Sequence, residues 1–254
     1  MAILLSLKRK SPVVDLIKER SPDESSNDRK SFWRVVYLIT FVTSIPAFFF
    51  YAPVLNDPRY ILGGGGGDTS VAFGAFLELL LIIANIGTAV VLFPLLRRQN
   101  EILILGYVTA RIFECLFIAV GLLSLLTVVA LRQMATGADT GSLVLVGQSL
   151  VALHNWTFLL GPGFVVGIGN GLMLGYLMYR SALVPRGMAV LGLIGGPLVT
   201  ASGTAILLGV IEAGSGWQVI ATIPEFIWEL LLGIWPIVKG FNPSAVARLQ
   251  NVSQ

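Results

Sequence analysis

The sequence predicts an all-α fold: a polytopic transmembrane helical bundle of about six spans with both termini cytoplasmic. Composition is the first reason. Of 254 residues, 55% are hydrophobic and only 12% charged, with a mean hydropathy of +0.83. A soluble domain carries about 25% charged residues, because its surface must face water. Length is the second reason. Several stretches run for about 20 residues or more with few or no charges, enough to cross roughly 30 Å of hydrocarbon at 1.5 Å per residue. The third is where the basic residues fall. Lys8, Arg9, Lys10, Lys18, Arg20, Arg29, Lys30 and Arg34 precede or open the first span, and Arg97 and Arg98 follow the second. Arg180 and Arg186 flank the turn after the fourth, and Lys239 and Arg248 follow the sixth. The opposite side has only Arg59 and Arg132, so the positive-inside rule assigns the richer side to the cytoplasm. A β-barrel would show alternating segments of about ten residues, and none appear.

Residues 1–31 form a polar, basic N-terminal tail. SPDESSNDRK has too little apolar surface to fold alone. The tail is therefore expected either to be disordered or to lay LLSLKRK and VVDLIKER on an anionic membrane surface. It is not a secretory signal, since its apolar part precedes its basic part. Residues 32–243 are the six-helix transmembrane domain, with spans at about Phe32–Leu55, Val71–Leu96, Ile102–Leu131, Leu143–Tyr179, Pro185–Ile211 and Trp217–Lys239. Residues 244–254 are left as a short cytoplasmic tail. The five glycines Gly63–Gly67 read as a flexible linker, because a phosphate-binding loop needs a lysine and a hydroxyl before a helix.

Span four is too long for one membrane crossing. Its predicted stretch would extend about 55 Å as a single helix, so it projects beyond the bilayer or bends near Gly161-Pro162-Gly163, where proline removes a backbone donor. Gly163, Gly167, Gly171 and Gly175 recur every four residues and predict a groove that admits a second backbone closely. Span five offers Ala201, Ala205 and Gly209 at the same interval, with Gly192 and Gly196 below, and the two spans are expected to pack as an antiparallel pair. GIGNG is not a dinucleotide fingerprint, since no strand precedes it.

Six ionisable residues fall in or at the edge of the spans: Glu78, Arg111, Glu114, His154, Glu225 and Glu229. Each is costly in lipid, so each should face the bundle interior and find a partner. Counted from the basic side, Arg111, Glu114 and Glu229 lie at ~13, ~18 and ~15 Å, which predicts an intramembrane charged cluster near the midplane. Glu78, His154, Asn155 and Glu225 are expected to form an outer polar layer. Arg111 shares a helix face with Glu114, and Glu225 shares one with Glu229. Arg111 is therefore expected to pair with Glu229, with Glu114 beside them, because guanidinium stays ionised and grips carboxylates with two hydrogen bonds. Such a pair fixes helix register. Alternatively, the surplus of carboxylates over arginine marks a proton or ion path.

The counts of histidine and cysteine narrow the chemistry. Cys115 is the only cysteine and His154 the only histidine, so neither an intrachain disulfide nor a zinc site with two imidazoles can be built. No catalytic residue, metal ligand set or cofactor is assigned.

Three segments, RRQNEILILGYVTARIFECLFIAVGLLSLL, LVALHNWTFLLGPGFVVGIGNGLMLGYLMYRSALVPRGMAVLGLIGG and IPEFIWELLLGIWPIVKGFN, carry a family likeness. They resemble the bacterial membrane family catalogued as domain of unknown function 4386, over about residues 32–243. Arg111 and Glu114 match its Arg-x-x-Glu, and His154 its Leu-His early in a long span. Tyr179 to Ser181 match its Tyr-Arg-Ser ending, Pro185 and Arg186 its Pro-Arg, and Pro224, Phe226 and Glu229 its late Pro-x-Phe-x-x-Glu-Leu. The resemblance implies a multi-pass protein of the bacterial cell (inner) membrane and supplies no activity.

The leading expectation is a non-enzymatic scaffold or partner-binding membrane subunit. A small transporter or channel using the intramembrane carboxylates is the alternative, and a membrane-embedded enzyme using His154 with Glu78 or Glu225 the second. Its expected partners are the lipid bilayer and other membrane proteins or itself, not nucleic acid.

Overall fold

The computed structural model describes residues 39–40, 43–44, 46–63, 67–134, 137 and 139–251. The tail predicted over 1–31, the start of span one and the centre of the glycine linker lie outside these residues. Among the described residues helices are the only regular secondary structure, with no strand. We label the helices α1 (46–56, with helical residues also at 39–40 and 43–44), α2 (Asp68–Leu96), α3 (Glu101–Met134), α4 (Thr140–Ser181), α5 (Arg186–Leu207), α6 (Gly216–Val238) and α7 (Pro243–Asn251). A short 3-10 turn, Tyr60–Leu62, joins α1 to α2. Helices α2 to α6 are each long and apolar enough to cross a membrane, five in all among the described residues. Their outward positions are apolar too: Ile83, Val90, Ile102, Leu123 and Ile220 are all more than half exposed. A belt of this kind is suited to a bilayer.

Local chemistry sets the ends of the helices. Asn100 Oδ1 accepts from the Leu103 N–H at 3.0 Å and caps α3. Asp139 Oδ2 accepts from the Ser142 N–H at 2.8 Å and caps α4, and that bond holds the exposed carboxyl below the usual carboxylate range. Ala182, at φ 55°, closes α4 in the left-handed conformation, and Pro185 precedes the first residue of α5. Asp68 begins α2, where the helix dipole favours an acid, and Arg132 from the end of α3 pairs with it at 3.2 Å. Arg132 also sits 4.4 Å over the Tyr60 ring. Burial and the hydrogen bond to Asp68 push the Tyr60 phenol up from its ordinary value.

Helix α4 is central, lying between α3 on one side and α5 on the other, while α2 packs on α3 and α6 on α5. It keeps one unbroken helical course over 42 residues. Its middle is widened into π turns at Leu159–Val165 and Gly167–Leu174. Pro162 lies in the first of these and lacks the N–H a regular helix needs, so a widened turn re-accommodates the backbone there. The widened turn falls at Gly161-Pro162-Gly163, where the sequence predicts a departure from regular helix.

Two apolar clusters flank the middle of the bundle. One, towards the basic end, gathers Leu92, Leu96, Ile104, Leu174, Leu177 and Trp228. The other, towards the opposite end, gathers Tyr51, Tyr60, Val71, Leu122 and Leu125. The segment set apart as a tail, 244–254, holds most of α7, whose Ala245 and Leu249 are buried in the first cluster.

Candidate functional site

Buried polar residues of the bundle gather in two groups, the second of which shares Tyr51 with the second apolar cluster and includes the exposed Asn155. The central group is contributed by α2, α3, α4 and α6. Arg111 Nη1 donates to Glu114 Oε2 at 2.6 Å, one turn along the same helix, and both residues are 6% exposed. Glu114 Oε1 accepts from Asn85 Nδ2 of α2 at 3.1 Å. Across the group, Asn170 Nδ2 of α4 donates to Glu229 Oε1 of α6. The Asn170 carbonyl takes the Trp228 indole N–H at 3.1 Å and also the Gly175 N–H, in the widened helix. A π turn thus sets the backbone and side chain of Asn170 toward α6, a placement common where such turns serve a site.

Glu225 completes this group and differs from its neighbours. It is 3% exposed, and among the described residues neither of its carboxylate oxygens accepts a hydrogen bond. Its carboxyl fills a notch that glycine creates: a Cβ on Gly171 would stand 2.6 Å from Glu225 Oε2, and one on Gly195 2.9 Å. The Oδ1 atoms of Asn85 and Asn170 are likewise buried and accept no bond. Arg111, Glu114 and Glu229 all lie within electrostatic range of Glu225.

The outer group joins α1, α2 and α4. Tyr51 Oη donates to Glu78 Oε2 at 2.8 Å. The Tyr51 ring meets the His154 ring edge-on at 5.8 Å, and His154 stacks on Phe158. His154 Nδ1 lies 3.4 Å from Asn155 Oδ1, and Asn155 lines a cavity of about 300 Å³ between α1, α3 and α4.

The sequence-predicted residues are thus distributed as follows. Arg111, Glu114 and Glu229 lie in one group, Glu78, His154 and Asn155 in the other. Glu225, assigned from its depth to the outer layer, sits with the central group. Of the four glycines, Gly167 and Gly171 abut Gly196, and Gly175 abuts Ala189 and Leu193, so a Cβ at any of the three would press on α5. A Cβ on Gly163 would meet only Leu159 and Phe158 of its own helix, at 3.6 Å. The opposing face of α5 is Ala189, Gly192, Gly196 and Val199; the expected Gly192 and Gly196 take part in it, and the expectation of Ala201, Ala205 and Gly209 is corrected. Ala201 lies five residues beyond Gly196, about 140° round the helix, and points outward; Gly209 lies past the end of α5.

The family model for the domain of unknown function DUF4386 matches residues 35–240, most of the chain. The chain belongs to this family. No curated protein and no solved structure matches it. The matched span of this DUF4386 chain runs through α1 to α6 and includes every member of both polar groups. Asn85, Asn170, Tyr51 and Gly195 escaped the reading of the sequence. An uncharged amide in an apolar helix draws less notice than a charge. Yet Asn85 stands seven residues after Glu78, two turns along the same face, and that spacing was a usable signal.

Proposed function

We propose that this DUF4386 protein is a small membrane transporter that moves protons through its central polar group, with Glu225 taking up and releasing the proton. The observation that carries this reading is a buried carboxylate that receives no hydrogen bond among the described residues. A group serving only to fix helix register would be satisfied within the fold, because an unmet polar group in a low-dielectric interior is costly. Ionisable residues inside membrane bundles commonly mark ion and proton routes. A proton suits the site better than a hard metal cation, since one carboxylate oxygen suffices for a proton whereas calcium or magnesium takes about six oxygen ligands. The step is an exchange of H⁺ with water on each side, with no electron moved. Glu229 lies one helical turn from Glu225 and receives the Asn170 amide, which supports a relay toward the basic end. We further propose residence in the bacterial cell membrane with both termini cytoplasmic, on the strength of the basic-residue asymmetry. An inactive C-terminal fusion of a reporter that works only in the cytoplasm would refute that orientation.

The transport reading is tested in proteoliposomes holding a pH-sensitive dye. Under an imposed proton gradient and potential, the wild type should equilibrate pH faster than empty liposomes, and Glu225→Gln should return the rate to that of empty liposomes. Wild-type flux equal to the empty control would return the protein to the scaffold reading.

A further inference from the structure

At the basic end of the bundle a cavity of about 410 Å³ opens between the α4–α5 turn and the α6–α7 turn. Its polar lining is Arg186, Lys239 and Asn242, and Trp235 and Phe241 supply aromatic walls. Among the described residues, no acidic one lines it. Neither Arg186 nor Lys239 forms an ion pair among the described residues. The cavity is held by backbone rather than by mobile side chains. The Asn242 N–H donates to the Leu183 carbonyl at 3.0 Å, tying the two turns together. Asn242 Oδ1 accepts from the Ser244 N–H at 3.1 Å and from the Ser244 hydroxyl at 2.7 Å, which fixes the start of α7. The Arg186 guanidinium stands 5.6 Å from the Tyr179 ring centre, a cation–π contact that steadies it.

We propose that this cavity binds the phosphate headgroup of an anionic phospholipid. Charge, depth and wall chemistry all point the same way. Two cations with no ion pair among the described residues attract one phosphate. The ends of α4, α5 and α6 bring the cavity level with lipid headgroups, since α4 ends at Ser181, α5 begins at Arg186 and α6 ends at Val238. Trp235 belongs at that interface, where aromatic rings are enriched, and basic pockets between helices at a membrane surface are suited to anionic headgroups. A lipid phosphodiester and a soluble phosphate share the recognised chemistry. The aromatic walls and the headgroup depth favour the lipid.

The test is native mass spectrometry of the full chain in detergent, offered phosphatidylglycerol or phosphatidylcholine. The wild type should retain phosphatidylglycerol selectively. Removing each cation should weaken retention about fivefold, so that Arg186→Ala with Lys239→Ala together weaken it by roughly 25-fold. Asn242→Asp is the decisive variant, because aspartate still caps α7 while placing a negative charge in the cavity. It should melt like the wild type and lose phosphatidylglycerol. Equal retention of both lipids, or undiminished phosphatidylglycerol binding in a folded Asn242→Asp protein, overturns the proposal. So does displacement of phosphatidylglycerol by free glycerol 3-phosphate as readily as by added phosphatidylglycerol, which would mark a soluble phosphate as the ligand.

Discussion

The outer polar group holds one carboxylate, Glu78, with one neutral donor, the Tyr51 phenol, among aromatic rings. The central group holds three carboxylates against one guanidinium, and distributes its donors unevenly. Glu114 receives both Arg111 and Asn85, Glu229 receives Asn170, and Glu225 receives nothing. The difference is one of adaptability. A lone carboxyl with a single donor can sit still in a packed interior. A crowded, unevenly satisfied cluster has more than one arrangement of protons within reach, and that is the property a transport route requires.

The largest effect expected from breaking this contrast is at Gly171. Leucine there would strike the Gly196 backbone and the Glu225 carboxyl together, removing the notch and separating α4 from α5. Gly171→Leu should cost more than ~3 kcal/mol and leave little folded protein in detergent. Wild-type expression and melting would show that the notch is not made by close backbone contact.

Arg111→Leu comes next. Removing one partner of a buried ion pair typically costs ~3–5 kcal/mol, whereas removing both is often near neutral. Because Arg111 bonds Glu114 within α3, adding Glu114→Leu should recover more stability than adding Glu229→Leu, as read from thermal melts of the single and double variants. The reverse order would identify Glu229 as the carboxylate that answers to Arg111 and would make the link between α3 and α6 the dominant one.

Tyr51→Phe sharpens the comparison from the other side. It removes the one donor seen for Glu78 and should cost about 1–3 kcal/mol. It should leave proton flux intact if the outer group is structural. A loss of flux at unchanged stability would place Tyr51 and Glu78 on the route.

The smallest effect is expected at Gly163, which belongs by sequence to the same four-residue series as Gly171. An alanine Cβ there meets only ordinary contacts within α4. Gly163→Ala should be neutral or gain up to ~1 kcal/mol from helix propensity. A clear loss of stability would mean that a neighbour approaches this position more closely than the fold indicates.

How much of this was legible depends on what kind of signal a residue leaves in the chain. The spans were legible because hydrocarbon thickness and helix rise are fixed, so a run of apolar residues has a predictable length. Arg111, Glu114, Glu225 and Glu229 stood out because a charge in such a run is costly wherever it lies. The division of labour among them was not legible. Depth along a helix does not report direction around it relative to neighbours, so Glu225 was assigned to the outer layer. Asn85 and Asn170 carry no charge and left a weaker trace.

By itself, then, the sequence determined an all-helical chain with membrane-length spans, and which residues carry charge within them. These follow from local quantities: hydropathy, periodicity and proline. Only the tertiary structure decided which face of α5 meets α4, that π turns bring Asn170 to Glu229, and that Gly171 and Gly195 together leave the space Glu225 occupies. Each of those depends on two or three helices packing at once. A glycine's absent side chain acquires meaning only from the atom of another helix that takes its place.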